Sequence, residues 1–150
     1  MAITFQEELI ENLVEELKPL LQEHWKELAN HQDDRPLDPD FDAYILINRR
    51  QVIRFITVRD NEKLIGYASF LISNHLHYRS WKYAVSDVYY LSLEYRKTNV
   101  GVQFFQNIET WLKDIGVNSI TVQDKVNHAH TSFFERLGFT HVEQVYEKVI

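Results

Sequence analysis

The sequence predicts an α/β fold: a mixed, mostly antiparallel twisted sheet with helices on both faces. Three observations carry that prediction. The β-branched and aromatic runs "VIRFITVRD" and "KLIGYASFLIS" meet at the turn "DNEK", which is a hairpin signal. A third strand candidate, Ala84 to Glu94, extends the hairpin into an antiparallel meander. A later strand–helix–strand step then requires one parallel crossover, and helices on both sides are the economical cover for such a sheet.

The elements follow in order. Ile3 to Glu7 reads as a short strand. Ile10, Leu13, Val14, Leu17, Leu20, Leu21, Trp25 and Leu28 recur at spacings of three and four, one amphipathic helical face, with Pro19 expected to kink or divide it. "NHQDDRPLDPD" is the best loop signal. Asp38 and Pro39 suit an N-cap and first helical position, so a helix is expected from Pro39 to about Arg49. After the meander, Val100, Phe104, Ile108, Trp111, Leu112 and Ile115 mark a strong helix closed by Gly116. "NSITVQ" is a short strand, Thr131 to Leu137 a helix ended by Gly138, and "FTHVEQVYEKVI" a final strand.

The 150 residues, 45% apolar and 13% aromatic, fit one domain over residues 1–150. A formal charge of −6 argues against a nucleic-acid binder and against an anionic membrane surface. No apolar run approaches the ~20 residues that cross a bilayer. The acidic N-terminus lacks the basic-then-apolar order of a signal peptide, so a cytoplasmic protein is expected. There is no cysteine, which excludes disulfides, thiolate metal sites and a cysteine nucleophile.

The stretch "EYRKTNVGVQFF" joins the third strand to the strong helix. The first amides of a helix lack intrahelical partners and carry partial positive charge. An anion held there would be helped by Arg96 and Lys97, with Gly101 allowing close approach. From this loop alone, a phosphate site and a solvated basic turn with a packing glycine are both open.

At these residues the sequence resembles the GNAT family of acetyl-coenzyme A-dependent N-acetyltransferases. Their pyrophosphate loop reads Arg/Gln-x-x-Gly-x-Gly/Ala after a strand ending in a Glu-Tyr-Arg-like lead-in. Glu94, Tyr95 and Arg96 match that lead-in and Gly101 matches the second glycine, while Asn99 replaces the first. Asn tolerates left-handed backbone, so the loop is expected to form. The family's Asn-x-x-Ala-x-x-Phe-Tyr-Glu-x-Leu-Gly-Phe segment is matched by Asn127, Phe133, Glu135, Leu137, Gly138 and Phe139, with His130 replacing the alanine. Gly66 matches a glycine common in the preceding strand.

The resemblance implies acetyl-coenzyme A as co-substrate and a splayed sheet that receives it. Its pantetheine arm is expected along Leu91 to Leu93, and its pyrophosphate on Arg96, Lys97, Thr98, Asn99, Val100, Gly101 and Val102. Asn127 and Phe134 are expected near its thiol end. The acceptor would be a small-molecule or protein amine, attacked directly in a ternary complex. The resemblance also leaves room for a homodimer, since members often pair through sheet edges or helices.

Asp87 falls where many members carry an acidic residue and is the expected general base; pairing with Arg79 or Lys82 is its structural alternative. Tyr89, two residues on, is expected on the same strand face, binding substrate, relaying a proton or simply filling the core. The tyrosine that often protonates the leaving thiolate is replaced by Phe134. Tyr89 or Tyr78 could then supply the proton, the thiolate could leave unassisted, or the protein could be a poor catalyst.

"HLHY" is expected at the mouth of the acceptor groove, with His75 and Tyr78 binding substrate and His77 a second candidate base near neutral pH, beside the plain reading of loop histidines. No metal is expected, because a His-x-His pair still needs further ligands. The same segment, followed by Asp-Val-aromatic, resembles GNAT proteins carried by bacteriophages. In "QEHWKEL", Glu23, His24 and Glu27 are candidates for recognising a cationic substrate, the alternative being a solvated helix face with Trp25 and Leu28 inward.

Overall fold

The structure, a computed structural model, describes residues 1–28 and 35–150. Part of the predicted "NHQDDRPLDPD" loop, residues 30–34, lies outside the described residues.

Five strands form one sheet in the order β1-β2-β3-β4-β5: Ile3–Glu7, Ile53–Asp60, Lys63–Asn74, Lys82–Leu91 and Ser119–Thr121. The first four pair antiparallel, while β4 and β5 run parallel across the predicted crossover. The helices are α1 (Val14–Leu28), α2 (Phe41–Arg49), α3 (Val100–Asp114) and α4 (Thr131–Arg136). One face of the sheet buries Ile56, Val58, Ala68, Phe70 and Ala84 against Phe104, Ile108 and Leu112 of α3 and Phe134 of α4. The other buries Phe55, Leu64, Tyr67 and Tyr90 against Leu17 of α1, with Phe41, Tyr44 and Ile45 of α2 packed on it.

Three boundaries differ from the sequence expectation. Pro19 sits inside α1 without dividing it. The carbonyl that the proline cannot pair is that of Glu15, an exposed residue one turn back that solvent can reach. Asp40, not Asp38, caps α2, its Oδ1 accepting the Ala43 amide at 2.9 Å. The C-terminal segment forms no strand: residues 141–150 are exposed and unassigned. Its apolar residues Val142, Val145, Tyr146, Val149 and Ile150 are all exposed and join no strand of the sheet.

Two irregularities shape the sheet. Val58 opposes Gly66 and Arg59 opposes Leu64, leaving Ile65 as an extra residue on β3; Ser69 opposes Val88 and Phe70 opposes Ser86, leaving Asp87 as an extra residue on β4. Gly66 marks the closest approach of β3 to β4. A Cβ there would lie 2.8 Å from the Tyr90 carbonyl oxygen and 3.0 Å from Leu91 Cδ1, so only glycine fits without displacement.

Candidate active site

Beyond its three paired residues, Tyr83 to Val85, β4 parts from β5. The Gln123 amide donates to Ser86 Oγ at 3.0 Å just past the last pair, and the Tyr89 hydroxyl donates to the Gln123 carbonyl at 3.0 Å across the opening. From Asp87 to Leu91, β4 therefore has no strand on its outer edge among the described residues.

That open edge leads into the 3₁₀ turn Leu93–Tyr95 and the start of α3. Thr98 organises this start: its hydroxyl donates to the Tyr95 carbonyl at 2.6 Å and accepts the Val100 amide at 3.2 Å. The amides of Lys97, Asn99, Gly101 and Val102 find no acceptor among the described residues. A Cβ on Gly101 would meet only Leu91 and Phe133, at 3.8 and 3.9 Å, so internal packing does not demand glycine here. Its bareness instead leaves the helix mouth clear for an approaching group. Lys97 and Asn99 are exposed around it. Asn99 has φ −76° and uses no left-handed backbone, because the 3₁₀ turn already brings the chain to the helix.

Several residues expected at the cofactor are committed elsewhere. Arg96 turns away from the loop: Nε donates to the Leu91 carbonyl at 2.6 Å, NH2 reaches both carboxylate oxygens of Glu27 at 3.0 and 2.9 Å, and the guanidinium lies 5.1 Å from the Tyr90 ring centre. Leu91 is buried, Val100 is a core side chain, and Leu93 is exposed. Val102 is half-buried and Asn127 exposed. Phe134 is 6% exposed, edge-on to Tyr89 and Phe105.

Asp87 is aimed by the bulge it occupies. Its Oδ2 accepts the Tyr44 hydroxyl of α2 at 2.7 Å and the Ser69 hydroxyl at 3.1 Å, not Arg79 or Lys82. Burial and this carboxylate push the Tyr44 phenol well above its ordinary range. The bulge also breaks the two-residue alternation. Tyr89 packs with the α3 and α4 core on the opposite face from the Asp87–Tyr44 pair, contrary to the expectation that the two share a face.

Sequence reasoning missed Asp124. It accepts the His130 amide at 2.6 Å, faces His130 Nδ1 at 3.1 Å and lies 3.5 Å from the Tyr89 hydroxyl. The signal was available only as a carboxylate six residues before the histidine that replaces the family alanine. Burial first, and then Asp124, pushes the Tyr89 phenol up, so it keeps its proton at neutral pH.

His24 is neither free nor solvated. Its Nδ1 lies 2.9 Å from the Tyr67 hydroxyl and its ring packs 5.1 Å from Tyr90. Burial, with the nearby Arg96, His128 and Lys125 charges, lowers it to about 4, so the ring is neutral. Glu23 accepts the Tyr90 hydroxyl at 2.9 Å, and Glu27 holds Arg96 with His128 Nε2 3.9 Å away. These residues strap α1 to the loop and are already paired.

The histidines of "HLHY" are not brought to Asp87. His75, His77 and Tyr78 lie in the β3–β4 connection, His75 stacking 4.8 Å from both Tyr78 and Tyr83. Five strand residues, roughly 16 Å, separate Lys82 at the start of β4 from Asp87. No group of three metal-ligating side chains occurs among the described residues. No described helix is long and apolar enough to cross a membrane.

A family model described as the acetyltransferase (GNAT) family matches residues 13–139. No curated protein sequence matches the chain. Among solved structures, the ribosomal-protein-alanine N-acetyltransferase of Brucella melitensis biovar Abortus 2308 is similar with a TM-score of 0.75 and 10% identity, covering 100% of both chains. An aminoglycoside acetyltransferase from an uncultured soil metagenomic sample, in complex with sisomicin, gives 0.75 and 12%, over 99% of this chain and 97% of that one. Glucosamine-6-phosphate N-acetyltransferase from Arabidopsis thaliana gives 0.72 and 11%, over 99% of each. At such identities these likenesses concern the fold. The family match spans most of the sequence: the chain belongs to the acetyltransferase (GNAT) family.

Proposed function

We propose that the chain binds acetyl-coenzyme A at the start of α3 and transfers its acetyl group to a primary amine by direct attack in a ternary complex. The observation that supports this best is the set of acceptor-free amides of Lys97, Asn99, Gly101 and Val102, beside a bare glycine and an open strand edge. Such amides, with the exposed Lys97, suit a pyrophosphate. When bound, the co-substrate supplies an activated acetyl thioester.

The chain's own residues supply binding and proton handling. Asp87, held by Tyr44 and Ser69 at the bulge, accepts the proton that an ammonium acceptor must lose before it can attack. Tyr89, protonated and set across the strand opening, is a donor packed edge-on against Phe134, the position that lacks one. Lys97 and the α3 amides orient the co-substrate, and neither His75 nor His77 takes part in the transfer.

Calorimetric titration with acetyl-coenzyme A tests the reading. The parent is expected to bind and Gly101→Asp to lose binding, since a carboxylate would fill the mouth and repel phosphate, while its Cβ meets only ordinary contacts with Leu91 and Phe133. No binding by the parent overturns it.

A second reading, a catalytically weak interaction module of the kind bacteriophages carry, draws support from the exposed Leu76, Tyr78 and Trp81 beside β4. It would be favoured by a parent that binds acetyl-coenzyme A yet acetylates no amine.

A further inference from the structure

We infer that the acceptor is a primary amine with an apolar, preferably aromatic, body, rather than a polyamine or an aminosugar. This rests on the acetyltransferase reading above and concerns the acceptor side of the same site. Between α1, α2 and the sheet lies a cavity of about 350 Å³, walled by Trp25, Leu37, Phe41, Tyr44, Phe55 and Tyr67 among the described residues. That size falls toward the small end of ligand cavities, enough for a single-ring amine.

The wall is largely apolar, and the hydroxyls of its two tyrosines are already engaged. The Tyr44 hydroxyl is given to Asp87, and the Tyr67 hydroxyl is paired with His24 Nδ1. A hydroxyl-rich sugar entering here would exchange its water hydrogen bonds for carbon surface, at a cost for each unpaired group. Aromatic faces and aliphatic side chains accept a ring instead, and can stack on it.

The charges point the amine. Tyr44 forms part of the wall and bonds Asp87, so the carboxylate sits behind the wall at that end of the cavity. At the rim, Asp38 has no cationic partner among the described residues, whereas Arg35 is held by Glu147 at 3.0 and 3.1 Å. An ammonium entering past Asp38 meets uncompensated negative charge on the side of the cavity whose Tyr44 bonds Asp87, and its hydrocarbon body meets the ring-lined wall. A polyamine would place its second and third charges against that wall with no counter-ion, which disfavours it.

The test compares initial rates of thiol release from acetyl-coenzyme A with phenethylamine, spermidine and glucosamine. Phenethylamine is expected to exceed both others in kcat/KM by about tenfold or more. Leu37→Gln, on a half-buried loop position, should raise the KM for phenethylamine about tenfold while leaving acetyl-coenzyme A affinity unchanged by calorimetry. Asp38→Asn, on an exposed residue that leaves the fold intact, should raise the same KM by a few-fold. A preference for spermidine or glucosamine, or no acetylation by protein that binds acetyl-coenzyme A, overturns the acceptor assignment. Failure to bind acetyl-coenzyme A overturns the underlying reading as well.

Discussion

The hydroxyl of Tyr44 donates to Oδ2 of Asp87 across 2.7 Å, joining α2 to the residue that bulges out of β4. Two residues forty-three positions apart thereby fix one carboxylate at the proposed acceptor side of the sheet. Asp87→Asn keeps the shape, and its amide oxygen still accepts both hydroxyls, but it cannot take a proton. Its kcat is expected to fall about 100-fold or more. Tyr44→Phe leaves the base but frees its orientation, so a smaller loss of about tenfold is expected. Steady-state kinetics at several pH values separate the two, and equal losses would mean that Asp87 only positions Tyr44.

The Arg96–Glu27 pair predicts a stability effect where the loop motif alone suggests a binding effect. Both side chains are largely sheltered, 26% and 21% exposed, and one guanidinium nitrogen reaches both carboxylate oxygens. Removing Glu27 leaves the Arg96 charge against Tyr90 and the Leu91 carbonyl, and removing Arg96 leaves the Glu27 carboxylate with His128, 3.9 Å away. Arg96→Met and Glu27→Leu should each cost about 2 kcal/mol, or several degrees in Tm. The double variant should cost less than the sum. If Arg96→Met instead abolishes acetyl-coenzyme A binding without lowering Tm, the arginine serves the ligand directly.

How much of this was readable in advance follows from the range of each interaction. The strand meander, the parallel crossover and α3 with its terminating Gly116 depend on local periodicity, and they stand in the sequence as spacings. The α3 mouth was readable too, because Gly101 and the strand before it are adjacent in the chain. Arg96 was not: its partner Glu27 lies sixty-nine residues away, and no local pattern joins them. The face of Tyr89 was misjudged because a single extra residue at Asp87 reverses the alternation, and bulges leave no periodic trace. Asp38 and Asp40 are equally good caps by type, and only the reach of Asp40 to Ala43 separates them.

His24 makes stability fall in mild acid. The native ring, lowered to about 4 by burial and then by Arg96, His128 and Lys125, binds its proton less readily than the unfolded ring near 6.5. Between those values the unfolded chain holds more protons, so stability rises with pH through the window. The contribution is complete above about 6.5 and is lost as pH falls toward 4, up to roughly 3 kcal/mol in all. His24→Gln should flatten the dependence of Tm on pH over that window, most visibly between pH 4 and 6. An unchanged slope would place the titration elsewhere.

Gly66 is expected to resist even alanine. The added Cβ would lie 2.8 Å from a backbone oxygen of Tyr90, and backbone cannot swing aside as a side-chain tip can. Gly66→Ala should lower stability by about 1–3 kcal/mol. Because Gly66 pairs with Leu91, the displaced segment is the one that leads into the α3 mouth. Weaker acetyl-coenzyme A binding should therefore accompany the loss in Tm, measured by calorimetry well below the melting range. A full Tm with normal binding would show that β4 yields there without consequence.

Tyr89 carries the remaining question of the leaving thiolate. Phe134 has no proton to give, and Tyr78 is 62% exposed on the far connection, remote from the strand opening. Tyr89 packs 5.7 Å from the Phe134 ring, with its hydroxyl spanning the gap to the Gln123 carbonyl. Asp124, itself anchored by His130, sits behind that hydroxyl and favours its protonated form. Tyr89→Phe preserves the packing against Phe105 and removes only the donor. It should lower kcat about tenfold or more while leaving acetyl-coenzyme A affinity untouched. His130→Ala, which removes the ring contact to Asp124 but keeps the backbone amide bond and does not touch the phenol, should produce a smaller loss in the same parameter. If Tyr89→Phe turns over at the parent rate, the thiolate departs without assistance, and the hydroxyl serves only to tie β4 to the segment after β5.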